Sequence, residues 1–467
     1  MEDERIRTEC GRLSLSPPER VVAGSYCTWE VTYTVGRIGM DDGSKLQIAV
    51  NQTSDWGPPQ FEDPTAEDYC SVETDGDATV EGTFDPQGHV RPYRNTITVR
   101  VSDGSLAEGE EITLTLGDRS EGSMGLQAQS YPETTFELIG LVDAFETGEP
   151  VELPDRPVFE VVPGPAESLV AVVPAEAATG EPVTVKVRGA DYWGNAATGY
   201  EGSLTLGTEG EDEADDEILA ESVSTTDGVA QVDVQFDAPG VKRVTVRDAD
   251  LGLETTTNPI VVHETPPERR VRWGDIHGQS EETVGTGSVE EYFAYAREKA
   301  FLEFASHAGN DFQITDDLWE RIQDAVGDFH DPGEFVTFLC YEWSANTPSG
   351  GDHNVYFRGE EAEIHRSSNW QVNEGPEQAE GTYPIEDLYD QYEGRDDVLI
   401  IPHQGGRPAR VRDVIDSDLT PFVEILSVWG IFEWFGEEAL EEKHVGFVAG
   451  SDDHTGRPGA SYPANVE

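Results

Sequence analysis

Lysine, cysteine and long apolar runs are scarce or missing in this sequence of 467 residues. It has 5 lysines and 25 arginines against 94 acidic residues, so it lacks the clustered cations that neutralise nucleic-acid phosphates. We therefore expect no nucleic-acid partner. No window approaches the roughly 18 consecutive apolar residues of a membrane-spanning helix, and we expect no membrane insertion. The start, Met1–Arg7, lacks the apolar stretch of a secretory signal.

The acidic charge is spread along the whole chain and sums to −64. Such a charge repels itself at low salt, whereas concentrated salt screens it over a few ångströms. We interpret the composition as an adaptation to a high-salt cytoplasm and expect the protein to come from a halophile. The acidity then describes the solvent and indicates little about partners.

The four cysteines do not form a metal-binding or disulfide pattern. None belongs to a Cys-x-x-Cys pair, which gives a zinc knuckle no support. Cys340 lies in the apolar run Phe335–Tyr341 and is interpreted as a core thiol. The other three are too few and too irregular for a disulfide framework, so a reducing compartment is expected.

Short alternating runs dominate the first part of the chain. Thr28–Val35 and Asn95–Val101 alternate apolar and polar residues, which predicts half-buried strands in a β-rich domain over residues 1–160. Residues 166–263 repeat the pattern more regularly, with clear strands at 168–173, 182–187, 230–236 and 242–246. About 95 residues of short strands and turns suggest a β-sandwich.

One stretch of this second region resembles a recurring segment of bacterial immunoglobulin-like modules. It is Gly189–Leu206, in which an Asp…Gly-Asn turn precedes a Tyr-x-Gly strand. The resemblance implies a spacer or interaction module and no chemistry.

Residues 268–467 alternate strand-like and helical stretches. Helices are predicted at Val289–Ala300, Asp316–Val326 and Pro384–Tyr392, with apolar strands between them. Such alternation favours a parallel sheet or an α/β barrel.

Histidine placement is the most informative feature of this third region. Nine of the ten histidines lie after position 260. Ligand-type residues follow or end five strand-like runs, and the carboxyl ends of barrel strands meet on one rim. They are His277, His307, Glu342, His403, Asp452 and His454. Histidine and carboxylates are the ligands of hydrolytic zinc, manganese and iron centres, so the pattern predicts a metal site.

The same residues, in the same order, resemble the PHP (polymerase and histidinol phosphatase) superfamily. The motifs are Gly274-Asp-Ile-His277, His307, Tyr341-Glu342, Ile401-Pro-His403 and Gly450-Ser-Asp-Asp-His454. The stretch Gly350–Phe357 looks like a PHP-like branch of unknown function that often follows β-rich domains. The resemblance covers roughly residues 268–463. It implies a distorted (β/α)7 barrel with one to three divalent ions (Zn, Mn or Fe) and hydrolysis of phosphate esters.

The resemblance also implies roles for individual residues. It makes His277, His307, Glu342, His403, Asp452 and His454 metal ligands and adds His353 as an extra ligand of this branch. Gln279 and Ser306 replace two family ligands; Asp275 or Asp311 could compensate. The chain ends thirteen residues after His454, so the barrel is expected to be incomplete at its C-terminus.

The expected fold is thus multidomain, with N-terminal all-β sandwich-like domains followed by an α/β barrel. The expected function is metal-dependent hydrolysis of a small anionic phosphate ester by a metal-activated water, with Asp452 and His403 at the reacting centre. Arg407 and Arg457, close in sequence to ligands, are expected to bind the anion. The alternatives are hydrolysis of sulfate esters, or a non-catalytic binding or adhesion protein with a degenerate barrel.

Several properties are left open by the sequence. A cytoplasmic location is expected, with an extracellular one as the alternative because immunoglobulin-like modules are common outside cells. Metal identity, natural substrate and oligomeric state do not follow from the residues.

Overall fold

The computed structural model describes residues 2–16, 20–89, 92–208, 217–369, 372, 381–410, 412 and 418–460. Residues 461–467, where the incomplete barrel end is expected, lie outside this range. The chain forms two compact units, one of residues 1–165 with 191–195 and the other of residues 166–190 with 196–467. The division into domains at 1–160, 166–263 and 268–467 stays a prediction.

Alternating burial builds the strands of the first unit, as the sequence predicts. In the strand Trp29–Val35 the side chains of Trp29, Val31, Tyr33 and Val35 are buried, and those between them face outward or lie half-buried. The period of two places one apolar face on the core. The unit is β-rich, and its largest sheet joins Val151–Glu152, Ile139–Asp143, Lys45–Asn51, Tyr93–Ser102 and Thr79–Asp85 in that order.

The described elements of the first unit are α1 (Glu2–Cys10), β1 (Gly11–Ser16), β2 (Arg20–Val22), β3 (Tyr26–Cys27), β4 (Trp29–Val35), β5 (Lys45–Asn51), β6 (Ser71–Thr74), β7 (Thr79–Asp85), β8 (Tyr93–Ser102), β9 (Glu111–Leu116), β10 (Leu126–Gln127), β11 (Glu133–Glu137), β12 (Ile139–Asp143), β13 (Val151–Glu152) and β14 (Val158–Val162).

The second unit begins with an immunoglobulin-like β-sandwich, which confirms that prediction. Its strands are β15 (Ser168–Val172), β16 (Glu176–Ala178), β17 (Val183–Ala190), β18 (Ser203–Thr208), β19 (Glu217–Ser224), β20 (Val229–Val234), β21 (Gly240–Lys242), β22 (Val244–Asp248), β23 (Leu253–Thr256) and β24 (Ile260–His263). They form sheets in the orders β15-β17-β20, β16-β24-β21 and β19-β18-β22-β23. A shared apolar core, including Val185, Val187, Leu204, Leu206 and Val246, lies between them.

The remainder of the second unit mixes helices with strands. Its elements are β25 (Gly274–Asp275), α2 (Val289–Glu298), β26 (Phe304–Ser306), α3 (Asp316–Phe329), β27 (Val336–Ser344), β28 (Asp352–Phe357), α4 (Ile385–Tyr392), β29 (Val398–Pro402), β30 (Phe422–Glu424), β31 (Leu426–Ser427), β32 (Gly430–Ile431), α5 (Glu433–Glu442) and β33 (Gly446–Val448). The three predicted helices are confirmed as α2, α3 and α4. Among the described residues, no helix is long and apolar enough to cross a membrane.

Local sequence signals explain where the first two of these helices begin. Ser288 caps α2 in a capping box with Glu291, each side chain bonding the backbone of the other residue. Thr315 caps α3 by accepting a hydrogen bond from the Leu318 amide. Both helices bury one apolar face against the sheet that carries the candidate site.

The expected (β/α)7 barrel is wrong. The central sheet has the order β25-β26-β27-β28-β29, in which β25, β26 and β27 are parallel and β28 is antiparallel to both neighbours. A parallel neighbour needs a crossover of about a dozen residues or more, whereas only residues 345–351 join β27 to β28. Strand accounts for 39% and helix for 14% of the described residues, so the described part of the chain is mostly β.

Candidate metal centre

Side chains from six separate segments meet on one face of the central sheet. In the antiparallel register Glu342 of β27 lies opposite Asn354 of β28, which in turn lies opposite Ile401 of β29. Directly paired residues share a face of the sheet, and so do residues two positions apart on one strand. Asp352, two positions before Asn354, and His403, two positions after Ile401, therefore lie on this face too. His277 beyond β25, Glu424 at the end of β30 and Asp452 beyond β33 complete the cluster.

His277 is buried between two carboxylates. Its Nδ1 lies 3.1 Å from Glu424 Oε1, and its Nε2 lies 3.3 Å from Asp452 Oδ1. Burial opposes the charged ring, but Asp452 and Glu424 outweigh it and raise the pKa of His277 to about 10. A carboxylate on Nδ1 is the usual device that orients a metal-binding histidine toward its ion.

Glu342 is the most heavily coordinated carboxylate of the cluster. Its Oε2 accepts hydrogen bonds from the side-chain amides of Gln279 at 2.8 Å and Asn310 at 2.5 Å. Its Oε1 lies 3.6 Å from His403 Nε2 and 3.7 Å from an Arg407 guanidinium nitrogen. Burial opposes ionisation of Glu342, yet His403 and Arg407 hold the pKa of this carboxyl below its ordinary value. Gln279 therefore serves here as a donor to a carboxylate.

Arg407 and Asp352 form a tight buried pair beside Glu342. The Arg407 Nε lies 2.7 Å from Asp352 Oδ1, and the Arg407 amide donates to Oδ2 at 2.9 Å. Both carboxylate oxygens of Asp352 are thus engaged by one residue. Arg407, expected to bind an anion, is held by acidic side chains of the protein.

Asp452 presents one oxygen to two histidines. Its Oδ2 accepts a hydrogen bond from the indole Nε1 of Trp429 at 2.6 Å. Its Oδ1 lies 3.3 Å from His277 Nε2 and 3.4 Å from His454 Nε2. The backbone of Asp452 has a φ of 52° and its amide bonds the His277 carbonyl at 2.9 Å, which fixes the side chain beside that histidine.

Several buried polar atoms of the cluster have no hydrogen-bond partner within the described part of the chain. They are His277 Nε2, both ring nitrogens of His403 and Asp452 Oδ1. Leaving such atoms unpaired costs about 1–3 kcal/mol each, so groups of this kind call for a ligand. Separations of 3.3–3.6 Å are also those of neighbouring ligands around one ion with bonds of about 2.0–2.2 Å.

Two overlapping sets of ligands could hold a divalent ion. His277, His403 and Glu424 offer ligand atoms that all lie within 4.8 Å of one another, and so do Glu342, Asp352 and His403. All five residues are buried. Nitrogen from histidine and oxygen from carboxylates suit zinc, manganese or iron, so the residues present fit the expected metals.

His307 and His353 are not brought into these sets. His353 pairs with Trp343 across the strands, which places it on the face opposite Glu342, among Trp343 and Tyr389. His307 Nε2 lies 2.8 Å from the Ser280 hydroxyl. Burial lowers the pKa of His307 to about 4 and that of His353 to about 3, as expected for neutral core histidines.

The two suggested compensating acids have structural partners. Asp275 accepts hydrogen bonds from the Ser451 and Gly459 amides at 2.9 and 2.8 Å, and Asp311 accepts from the Ser344 amide at 2.8 Å. Burial raises the pKa of Asp311 to about 6. Neither belongs to a ligand set, so the structure does not use them in place of Gln279 or of a family aspartate at Ser306.

Sequence reasoning missed Glu424 and Asp352. Glu424 is an acid inside the apolar run Phe422–Val428, and a charged residue within a buried strand was the available signal. Gly450 makes room for it: a Cβ there would lie 2.5 Å from the His277 Cβ and 3.1 Å from Glu424 Oε2. The His277–Glu424 pair thus depends on glycine at position 450.

Comparisons with known proteins identify relatives of undescribed activity. A family model described as "Protein of unknown function (DUF3604)" matches residues 261–407. An uncharacterized protein of Chlamydia muridarum (strain MoPn / Nigg) is 21% identical over 356 residues, covering 72% of this chain and 55% of its own length. A Chlamydia trachomatis serovar D protein matches equally over 355 residues. This chain spans about half the length of these curated relatives.

Solved structures with some similarity include adhesin domains. The D00-D0 domain of Intimin is 13% identical, covers 54% of this chain and 99% of its own, and has a TM-score of 0.22. The Yersinia pseudotuberculosis adhesin InvE is 12% identical, covers 54% of this chain and 58% of its own, and has a TM-score of 0.17. Scores this low carry no argument about function.

The expected membership of the PHP superfamily is therefore wrong. The matching family model is one of unknown function, and the sheet that carries the site is mixed and contains an antiparallel hairpin. The phosphoesterase assignment that the resemblance implied loses its support with it. What the described strands and the family model support is a β-rich chain with a region of unknown function.

Proposed function

We propose that the C-terminal part of this chain binds divalent metal at the His277–His403 cluster and uses it to hydrolyse a small anionic ester. One observation carries the proposal: His277 Nε2, both ring nitrogens of His403 and Asp452 Oδ1 are buried in one cluster of acids and have no hydrogen-bond partner among the described residues. The proposal rests on this geometry and on no family resemblance.

Charge supports a cation in this place. Glu342, Asp352, Glu424 and Asp452 are four buried carboxylates; Arg407 pairs with the first two, while the other two face histidine. Buried like charges are costly unless cations compensate them. A divalent ion compensates them and takes the place of the proton on His277.

Each residue has a definite task in the proposed centre. Glu424 holds His277 by its Nδ1, so that Nε2 is available as a ligand together with Asp452 Oδ1 and His454 Nε2. His403 and Glu342 form the adjoining pair of ligands. A bound divalent ion supplies a nucleophile by lowering the pKa of its water to about 7.

Arg457 is the proposed partner of the ester anion. It lies in the same loop as Asp452 and His454, where its amide bonds Asp453 at 2.6 Å and its Nε lies 3.1 Å from the Thr455 hydroxyl. Arginine binds tetrahedral anions through paired donors. Phosphate and sulfate share this chemistry, so both esters belong in the test.

The test measures hydrolysis of aryl phosphate and aryl sulfate esters by protein purified in molar salt and loaded with zinc, manganese or iron. Ester cleavage that is lost in His403→Ala and Asp452→Ala, and kept in the exposed control His444→Ala, supports the proposal. Stoichiometric metal without turnover of either ester would leave a metal-binding module that has no hydrolytic activity.

A further inference from the structure

Trp429 connects the candidate metal centre to the protein surface. It sits in the turn between β31 and β32, and its side chain is 39% exposed while Asp452 beside it is buried. Its indole Nε1 donates to Asp452 Oδ2 at 2.6 Å. Its ring also lies edge-on to His454, with the ring centroids 6.2 Å apart.

The surrounding backbone fixes this indole. The Val428 amide bonds the Ser451 carbonyl at 2.8 Å, which ties the turn directly to the residue before Asp452. The Trp429 amide bonds the Ser427 hydroxyl at 3.2 Å, and the Phe432 amide closes the hairpin on the Ile425 carbonyl at 2.7 Å. The hairpin and the Asp452 loop therefore hold each other in place.

The consequence is an asymmetric carboxylate. The indole occupies Oδ2, and Oδ1, with no hydrogen-bond partner among the described residues, faces His277 Nε2 and His454 Nε2. A carboxylate with one oxygen held by a donor binds an ion through the other oxygen, and such outer partners orient metal ligands.

We infer that Trp429 is a positioning residue that directs Asp452 Oδ1 to the metal, and that its indole reports metal binding. This inference rests on the proposed function, because it requires an ion at the cluster. It concerns affinity and spectroscopy of this chain's own side chains and needs no substrate.

The test compares Trp429→Phe, which keeps a ring and removes the N–H, with Trp434→Phe as a matched control on an exposed tryptophan. Zinc affinity measured by calorimetry should fall by about 10- to 100-fold in Trp429→Phe and stay within twofold of wild type in the control. The visible absorption of the Co²⁺-loaded protein should change in Trp429→Phe and stay unchanged in the control. A loss of packing away from the metal would not change this absorption.

A measurement on the unmodified protein removes dependence on how the variant folds. Of the nine tryptophan indole N–H resonances, one should shift strongly on addition of zinc, and it should be the one missing from Trp429→Phe. Zinc binding in wild type with no shifted indole, or with equal affinity in Trp429→Phe, would overturn the inference alone. No zinc binding by wild type would instead overturn the proposed function and the inference with it.

Discussion

The immunoglobulin-like sandwich and the α/β part of the second unit differ in how their buried polar groups are hydrogen-bonded. In the sandwich, Asp248 is buried but accepts hydrogen bonds from Tyr200 and from the amides of Asp250 and Leu251. In the α/β part, His277, His403 and Asp452 are equally buried, and each keeps an atom without a hydrogen-bond partner in the part of the chain that the structure describes. Because unpaired buried groups are costly, the α/β part is the region that the proposed ion would stabilise most.

The largest effect should follow from breaking the buried pair at the site. Arg407→Ala leaves Asp352 and Glu342 without their cation, and removing one partner of a buried ion pair costs about 3–5 kcal/mol. The free energy of unfolding of the metal-free protein, from denaturant titration followed by tryptophan fluorescence, checks this. A loss below about 1 kcal/mol would mean that the carboxylates are already protonated or solvated.

A smaller loss should follow from breaking the satisfied network of the sandwich. Tyr200→Phe removes the 2.5 Å bond to Asp248, and a hydrogen bond to a charged group contributes about 1.5–3 kcal/mol. Metal affinity should stay unchanged, because the site does not include these residues. Altered metal binding in this variant would contradict the separation of the two regions.

Acid should affect the same network with a definite sign. Burial opposes ionisation of Asp248, but the Tyr200 hydroxyl and backbone amides hold its pKa below the ordinary value. A lowered folded-state pKa gives stability that is present above the unfolded-state pKa of about 3.9 and lost as the pH falls below it. Over that pH range the free energy of unfolding should fall less in Tyr200→Phe than in wild type, as measured by unfolding at several pH values. An equal fall would show that Tyr200 does not lower the pKa of Asp248.

A gain in stability should follow at the site from removing polarity. Asn354 is buried on the same face of the central sheet as Glu342, and neither its Oδ1 nor its Nδ2 has a hydrogen-bond partner among the described residues. Asn354→Val should raise the unfolding free energy of the metal-free protein by about 1 kcal/mol, since it removes unpaired groups from a strand. Thermal unfolding with and without zinc measures this, and the gain should shrink when metal is bound. Destabilisation of the metal-free protein would show that the carboxamide is satisfied in solution.

The smallest effect should come from an exposed arginine. Arg412 pairs with Glu438 and Glu441 on the surface, so Arg412→Ala should change stability by at most about 1 kcal/mol. Denaturant titration beside Arg407→Ala gives a direct contrast between an exposed and a buried arginine. Equal losses in the two variants would remove that contrast.

The fold was predictable where the pattern is local. The helices α2, α3 and α4 and the sandwich strands follow from periodicity and turn residues. The hairpin of β27 and β28 was not predictable, because Asp352–Phe357 is buried on both faces and shows no alternation of buried and exposed residues. Gly350 and Gly351, with φ of 131° and 81°, allow the sharp reversal that makes β28 antiparallel.

The site was predictable only in part for a related reason. Placement of ligand-type residues at strand ends led to six residues. The structure brings together His277, Glu342, His403, Asp452 and His454, but not His307, whose Nε2 lies beside the Ser280 hydroxyl. His353 was assigned from the resemblance to a PHP-like branch, but a shift of one position along a strand moves a side chain to the other face. Its register with Trp343 places it in the core, and only the pairing of the strands reveals this.

Metal content shows whether the His277–His403 cluster holds a divalent ion. Wild type, His403→Ala, Asp452→Ala and the exposed control His444→Ala would be dialysed in molar salt against zinc or manganese and then against metal-free buffer. We expect about one or two ions per chain in wild type and His444→Ala, and clearly less metal in His403→Ala and Asp452→Ala. Substoichiometric metal in wild type, or equal content in all four proteins, would contradict it.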